Sequence, residues 1–131
     1  RIKMDFLKYF ATAAAIFVAI DAVWLTAIAG KFYKKELGHL LAKKANLGSA
    51  AVFYAIYIMA LVVFIIQPGI NHTNGWTIGH AALLGFAMYA TYDLTNDSTL
   101  KDWPRKITYV DLAWGTTITT VVATLTTVIF R

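Results

Sequence analysis

FLKYFATAAAIFVAIDAVWLTAI, residues 6–28, is an apolar run with one acid, Asp21, set well inside it. A helix rises ~1.5 Å per residue, so ~20 residues cover the ~30 Å hydrocarbon layer of a bilayer, and this run is long enough. A charged side chain at mid-bilayer costs roughly 2.5–3.5 kcal/mol even on lenient insertion scales. An acid there faces a protein interior or a wet cavity and marks a functional site. Three further apolar runs follow at residues 47–66, 76–94 and 107–130. Asp93 lies near the end of the third and Asp111 near the start of the fourth, and Asp21 and Asp111 both open an Asp-x-x-Trp string.

Composition agrees with a bilayer environment. Apolar residues make up 59% of the chain and charged residues 15%, with a mean hydropathy of +0.60, which is greasy for a soluble domain. Four spans use nearly all of residues 1–131, so the expectation is a single all-α domain, an integral membrane bundle of four transmembrane helices. Met4 reads as a natural start. The first run is too long for a signal peptide, carries Asp21 and lacks a small-residue cleavage site. Cysteine is absent, which excludes disulfides, thiolate nucleophiles and Cys-based metal centres.

Charge placement orients the chain. Lys31, Lys34, Lys35, Lys43 and Lys44 crowd the first connection and Lys101, Arg105 and Lys106 the third, while residues 67–75 carry no Lys or Arg. The positive-inside rule puts loops 30–46 and 97–106 in the cytoplasm of a bacterial inner membrane, with both termini outside. The net charge of +5 is then a property of juxtamembrane loops and calls for no nucleic acid. Between Lys31 and Lys44 basic and apolar residues alternate at helical spacing, as in a short interfacial helix resting on anionic membrane lipid.

Depth and face bring the acids together. Counted at ~1.5 Å per residue, Asp21, Asp93 and Asp111 fall within roughly 3–11 Å of the same membrane boundary. Helical neighbours at i+3 and i+4 share a face, which pairs Asp21 with Trp24 and Asp111 with Trp114. The third span aligns Gly85, Tyr89, Tyr92, Asp93 and Asn96, and the second aligns Asn46, Ala50, Phe53 and Tyr57. The expected ligand-binding set is therefore Asp21, Trp24, Asn46, Tyr57, Tyr89, Tyr92, Asp93, Asn96, Asp111 and Trp114. His80 lies about 20 Å from Asp93 along the axis and on another face, so a metal site joining the two is not expected. Trp76 and Trp103 fit an interfacial belt, Asp97 and Asp102 fit loops, and the threonines of the fourth run fit close helix packing.

Asp21-Ala-Val-Trp24, Asn46, Phe53-Tyr54-x-x-Tyr57, Tyr92-Asp-Leu-Thr-Asn96, Trp103-Pro104 and Asp111-Leu-Ala-Trp-Gly115 together resemble a family of small predicted bacterial membrane proteins catalogued as a domain of unknown function. The resemblance spans essentially the whole chain and implies a four-helix membrane protein. It carries no reaction, substrate or catalytic residue with it.

Three classes of function fit these residues. Clustered, buried carboxyls can hold a proton until a cation or solute displaces it, which favours binding or proton-coupled transport of a small solute or cation. Four helices make a thin wall, so a transport path calls for a homo-oligomer. An intramembrane acid/base enzyme acting on a lipid-like substrate is the second class, although no Gly-x-Ser-x-Gly, His-Glu-x-x-His or Cys–His constellation is present. An accessory subunit ordered by a buried polar network is the third. Catalytic residues, a metal and a cofactor are not assigned.

Overall fold

The computed structural model describes residues 2–131, with side chains from residue 5 onward. Helix α1 (Ile2–Val23) widens into a π-helical turn at Trp24–Ile28, closed by the Ala29 N–H on the Trp24 carbonyl at 2.7 Å. The short helix α2 (Gly30–Leu37) follows directly. A Cβ at position 30 would lie 2.4 Å from the Leu25 carbonyl oxygen, so glycine is what lets the chain change direction there. Helix α3 (Leu47–Leu61) runs through a second π-helical turn (Val62–Ile66) into the three-residue α4 (Gln67–Gly69). Pro68 accounts for that second widening, because its ring clashes with the carbonyl four residues back. Two long helices complete the chain, α5 (Asn74–Thr99) and α6 (Arg105–Phe130).

Local chemistry sets several of these ends. Asn46 caps α3 by accepting the Ser49 N–H at 3.0 Å, and Thr73 caps α5 by accepting that of Trp76 at 3.1 Å, each satisfying an amide that the first helical turn leaves without a partner. Asp102 adopts a left-handed φ of 62° in the turn before α6, a conformation that Asp tolerates better than most residues. Two expectations need correction. Helical structure after Lys31 stops at Leu37 and does not reach Lys44, and Asp97 belongs to the last turns of α5, where it pairs with Arg105 at 3.4 Å.

Helix α6 occupies the centre, touching α1, α2, α5 and the second π-turn. Its partnership with α5 is the most extensive in the fold, and it is built on small residues. A Cβ on Gly85 would meet Thr119 and the Gly115 carbonyl at 2.6 Å, and one on Gly115 would meet the Tyr89 ring at 2.1 Å. The two helices are antiparallel and in register. Each step of four along α5, through Gly85, Tyr89 and Asp93, is answered by a step of four back along α6, through Thr119, Gly115 and Asp111. Close backbone approach at small residues is how helices associate where lipid removes the hydrophobic driving force.

Around this seam, Phe17 of α1 packs on Tyr54 and Tyr57 of α3, with ring centroids 5.5 and 4.9 Å apart. Ile58, Leu61, Ile66, Ile118 and Val122 fill the interior. Outward-facing side chains are largely apolar, among them Leu7, Ile28, Phe64, Leu83 and Ile129, and a continuous exposed apolar surface of this kind belongs in contact with lipid or another protein. Three stretches are long and apolar enough to cross a membrane: Asp5–Ile28, Leu47–Gly69 and Arg105–Phe130. Helix α5 has the length, but its glycines, tyrosines, His80, Asp93 and Asn96 keep it out of that group.

Candidate functional site

The three aspartates collect at the end of the bundle where α1 ends and α6 begins. Both carboxylate oxygens of Asp21 are engaged, Oδ1 by the Trp114 indole N–H and Oδ2 by the Tyr54 hydroxyl, each at 3.2 Å. Trp114 in turn lies flat on Trp24, with centroids 4.2 Å apart and planes 6° from parallel. The Trp24 indole donates to the Tyr33 hydroxyl at 3.2 Å, and Tyr33 donates to Asp111 Oδ1 at 2.5 Å. A continuous chain of donors and stacked rings thus joins Asp21 on α1 to Asp111 on α6. Burial and the bond to Asp111 hold the Tyr33 phenol above its ordinary range, so near neutral pH it acts as a donor.

Asp93 completes the group in an unusual way. It is 0% exposed, and neither of its oxygens has a donor among the described residues. The Asp111 carboxyl lies near enough to act on it electrostatically. Two carboxylates are acceptors only, so the pair is satisfied when a proton or a cation lies between them.

Asp111 also opens onto a cleft of about 330 Å³, lined besides by Phe53, Tyr57, Met88, Tyr89 and Tyr92. That volume is at the lower end of the range of small-molecule sites. Its walls are largely aromatic, and Asp111 is the one group among its lining residues with a low ordinary pKa. Deeper in, the Tyr57 hydroxyl pairs with Thr119 Oγ1 at 2.5 Å.

The described structure therefore brings together Asp21, Trp24, Tyr57, Tyr89, Tyr92, Asp93, Asp111 and Trp114. Asn46 lies apart as the exposed cap of α3, and Asn96 sits one turn past Tyr92 at the rim. Two participants fell outside the sequence-derived set. Tyr33 belongs to the short return helix and reaches Asp111 across 78 positions of sequence, for which spacing offers no signal. Tyr54 was within reach of sequence reasoning, because Asp21 needs donors and Tyr54 lies three residues from Tyr57. His80 stacks on Trp76 at 4.0 Å in the opposite half of α5, away from the acids.

A model for a family of predicted membrane proteins, DUF2177, matches residues 6–128. The chain belongs to the DUF2177 family. No curated protein and no solved structure matches it. Membership in DUF2177 and the three membrane-length apolar helices agree on a membrane protein, and nearly all of the DUF2177 match consists of the helices that build the acidic group and its cleft.

Proposed function

We propose that this membrane protein binds a small organic cation in the aromatic cleft, with its charged head against Asp111, and exchanges it for a proton held between Asp111 and Asp93. The observation that supports this reading most strongly is the cleft itself. Four aromatic rings, from Phe53, Tyr57, Tyr89 and Tyr92, surround one carboxylate, the combination that recognises ammonium groups through ring faces and charge. The unpartnered Asp93 oxygens behind Asp111 supply the place for the exchanged proton. Asp21 has a different role in this reading. With both oxygens bonded to donors on other helices, it ties α1 to α3 and α6.

Function on this reading requires α5 to cross the membrane as a fourth span. The other helices support it: α6 begins beside the end of α1, and Arg131 at its far end donates to the Gly69 carbonyl at 2.9 Å and to Asn74. From Asn74 beside Arg131 to Asp97 beside Arg105, α5 covers the same thickness as α6. The basic loops 30–46 and 97–106 then share one side, the cytoplasm of a bacterial inner membrane by the positive-inside rule.

The direct test is calorimetric titration of the protein in lipid nanodiscs with tetramethylammonium and benzyltrimethylammonium. Wild type is expected to bind and to release a proton into weakly buffered solution. Asp111→Asn should weaken binding by about tenfold or more, as loss of a desolvated charge partner does, and Asp93→Asn should abolish proton release. Equal affinities in wild type and Asp111→Asn would overturn the reading. Flux of the same cations in proteoliposomes tests transport, and background-level flux would confine the function to binding.

A further inference from the structure

The cleft is open on one side, between exposed side chains of α3 and α5. Helices α3 and α5 are held together at their α4 end, where the Gly69 backbone packs on Thr77 and a Cβ would lie 2.8 Å from its hydroxyl. Toward the acidic end they part, and Phe53 on one wall and Tyr92 on the other are 51% and 59% exposed. Exposed apolar side chains flank the opening on both helices, Val52 and Ile56 on α3 and Leu94 on α5, a surface that suits contact with lipid. A shallow, largely open groove on the outer face of α3 is formed by Gly48, Ser49, Val52 and Ile56 of that one helix, and it shares Phe53 with the cleft. From Gly48 to Ile56 it extends about 12 Å along the helix.

We infer that the occupant of this site is a single-chain cationic amphiphile that enters sideways from the bilayer leaflet, its ammonium head at Asp111 and its alkyl tail along the α3 groove. The inference rests on the reading of Asp111 as the head site and adds the class of ligand and its route. Charge complementarity fixes the head, since Asp111 is the one carboxylate among the aromatic and methionine side chains that line the cleft. Continuity through Phe53 fixes the tail, because a chain leaving the cleft between Phe53 and Tyr92 meets the groove at once.

The test compares tetramethylammonium with butyl-, octyl- and decyltrimethylammonium, titrated into nanodisc-embedded wild type, Val52→Trp and Ile56→Trp. Each substitution fills the groove and leaves the cleft intact, and retained binding of tetramethylammonium certifies the fold of each variant. Nonspecific partition into lipid is common to all three proteins, so the readout is the affinity ratio of wild type to variant as the chain grows. It is expected to stay near unity for tetramethylammonium and to reach at least about tenfold for the decyl compound, the equivalent of roughly two buried methylenes. A ratio that stays flat with chain length while tetramethylammonium still binds at Asp111 overturns the amphiphile inference and leaves the cation site standing. Failure of every cation to bind wild type overturns both.

Discussion

Replacing Gly115 by Ala probes the seam that positions the site. The added Cβ would lie 2.1 Å from Tyr89 Cγ and 2.2 Å from Cδ1, whereas carbon–carbon contacts are favourable only from ~3.5 Å outward. The ring, or the whole of α5, must therefore retreat by about 1.4 Å, and overpacking of this kind costs about 1–3 kcal/mol. Tyr89 is also a wall of the cleft, so the retreat should weaken cation binding as well. Unfolding free energies in mixed micelles, measured for Gly115→Ala, Tyr89→Ala and the double variant, isolate the clash. The double variant should recover at least about 1 kcal/mol relative to the sum of the single effects, within the usual range for residues in contact. Gly79→Ala is the internal control: nothing lies within 4 Å of its added Cβ, so it should be neutral or stabilising by up to about 1 kcal/mol through helix propensity. If Gly115→Ala is as stable as wild type, or if removing the Tyr89 ring brings no recovery, the close α5–α6 seam is wrong.

Thr119→Val leaves the buried Tyr57 hydroxyl without its partner and should destabilise by about 1–3 kcal/mol, while adding Tyr57→Phe should restore most of that loss; unfolding titrations of the two variants decide it. Tyr33→Phe removes the donor that ties α2 to Asp111, and hydrogen exchange followed by mass spectrometry should show faster exchange across residues 30–37 with little change in α6. Uniform exchange rates in that comparison would mean that α2 is held by something else. Asp21→Asn retains one acceptor oxygen where two bonds are now accepted, and should destabilise by about 1.5–3 kcal/mol, the range for hydrogen bonds to a charged group. In a chain free of cysteine, Lys44→Cys should react only with reagents admitted to the cytoplasmic side and His72→Cys only from outside; the reverse pattern would invert the topology.

Much of this was readable from residue order. The apolar runs located the helices to within a few residues, since a hydrophobic stretch long enough to span has few other ways to satisfy its backbone. Counting depth placed Asp21, Asp93 and Asp111 at one end, and face arithmetic along α5 picked out Gly85, Tyr89 and Asp93, the residues that meet α6. What escaped depends on events that periodicity does not encode. The π-helical turn at Trp24–Ile28 shifts the helical register from Trp24 onward, and the fold-back at Gly30 delivers Tyr33 to a helix far along the chain. Asn46 obeyed the spacing of the α3 stripe, yet its side chain serves the backbone of its own first turn. Asp97 reads in the sequence as a loop residue, whereas it lies in the last turns of α5 and its ion pair with Arg105 lies at the joint between α5 and α6.

The threonines of α6 have a consequence for how the chain is assembled. Thr116, Thr117, Thr120, Thr126 and Thr127 each donate to the carbonyl four residues earlier, so their hydroxyls are satisfied within one helix. A hydropathy sum counts each of them as polar, but to the insertion machinery α6 presents an almost hydrocarbon cylinder. It can therefore enter the bilayer as an independent helix, before it packs against α1, α3 and α5. Asp111, bonded by Tyr33, and Thr119, bonded to Tyr57, are among the polar groups of α6 that must wait for neighbouring helices to supply a partner.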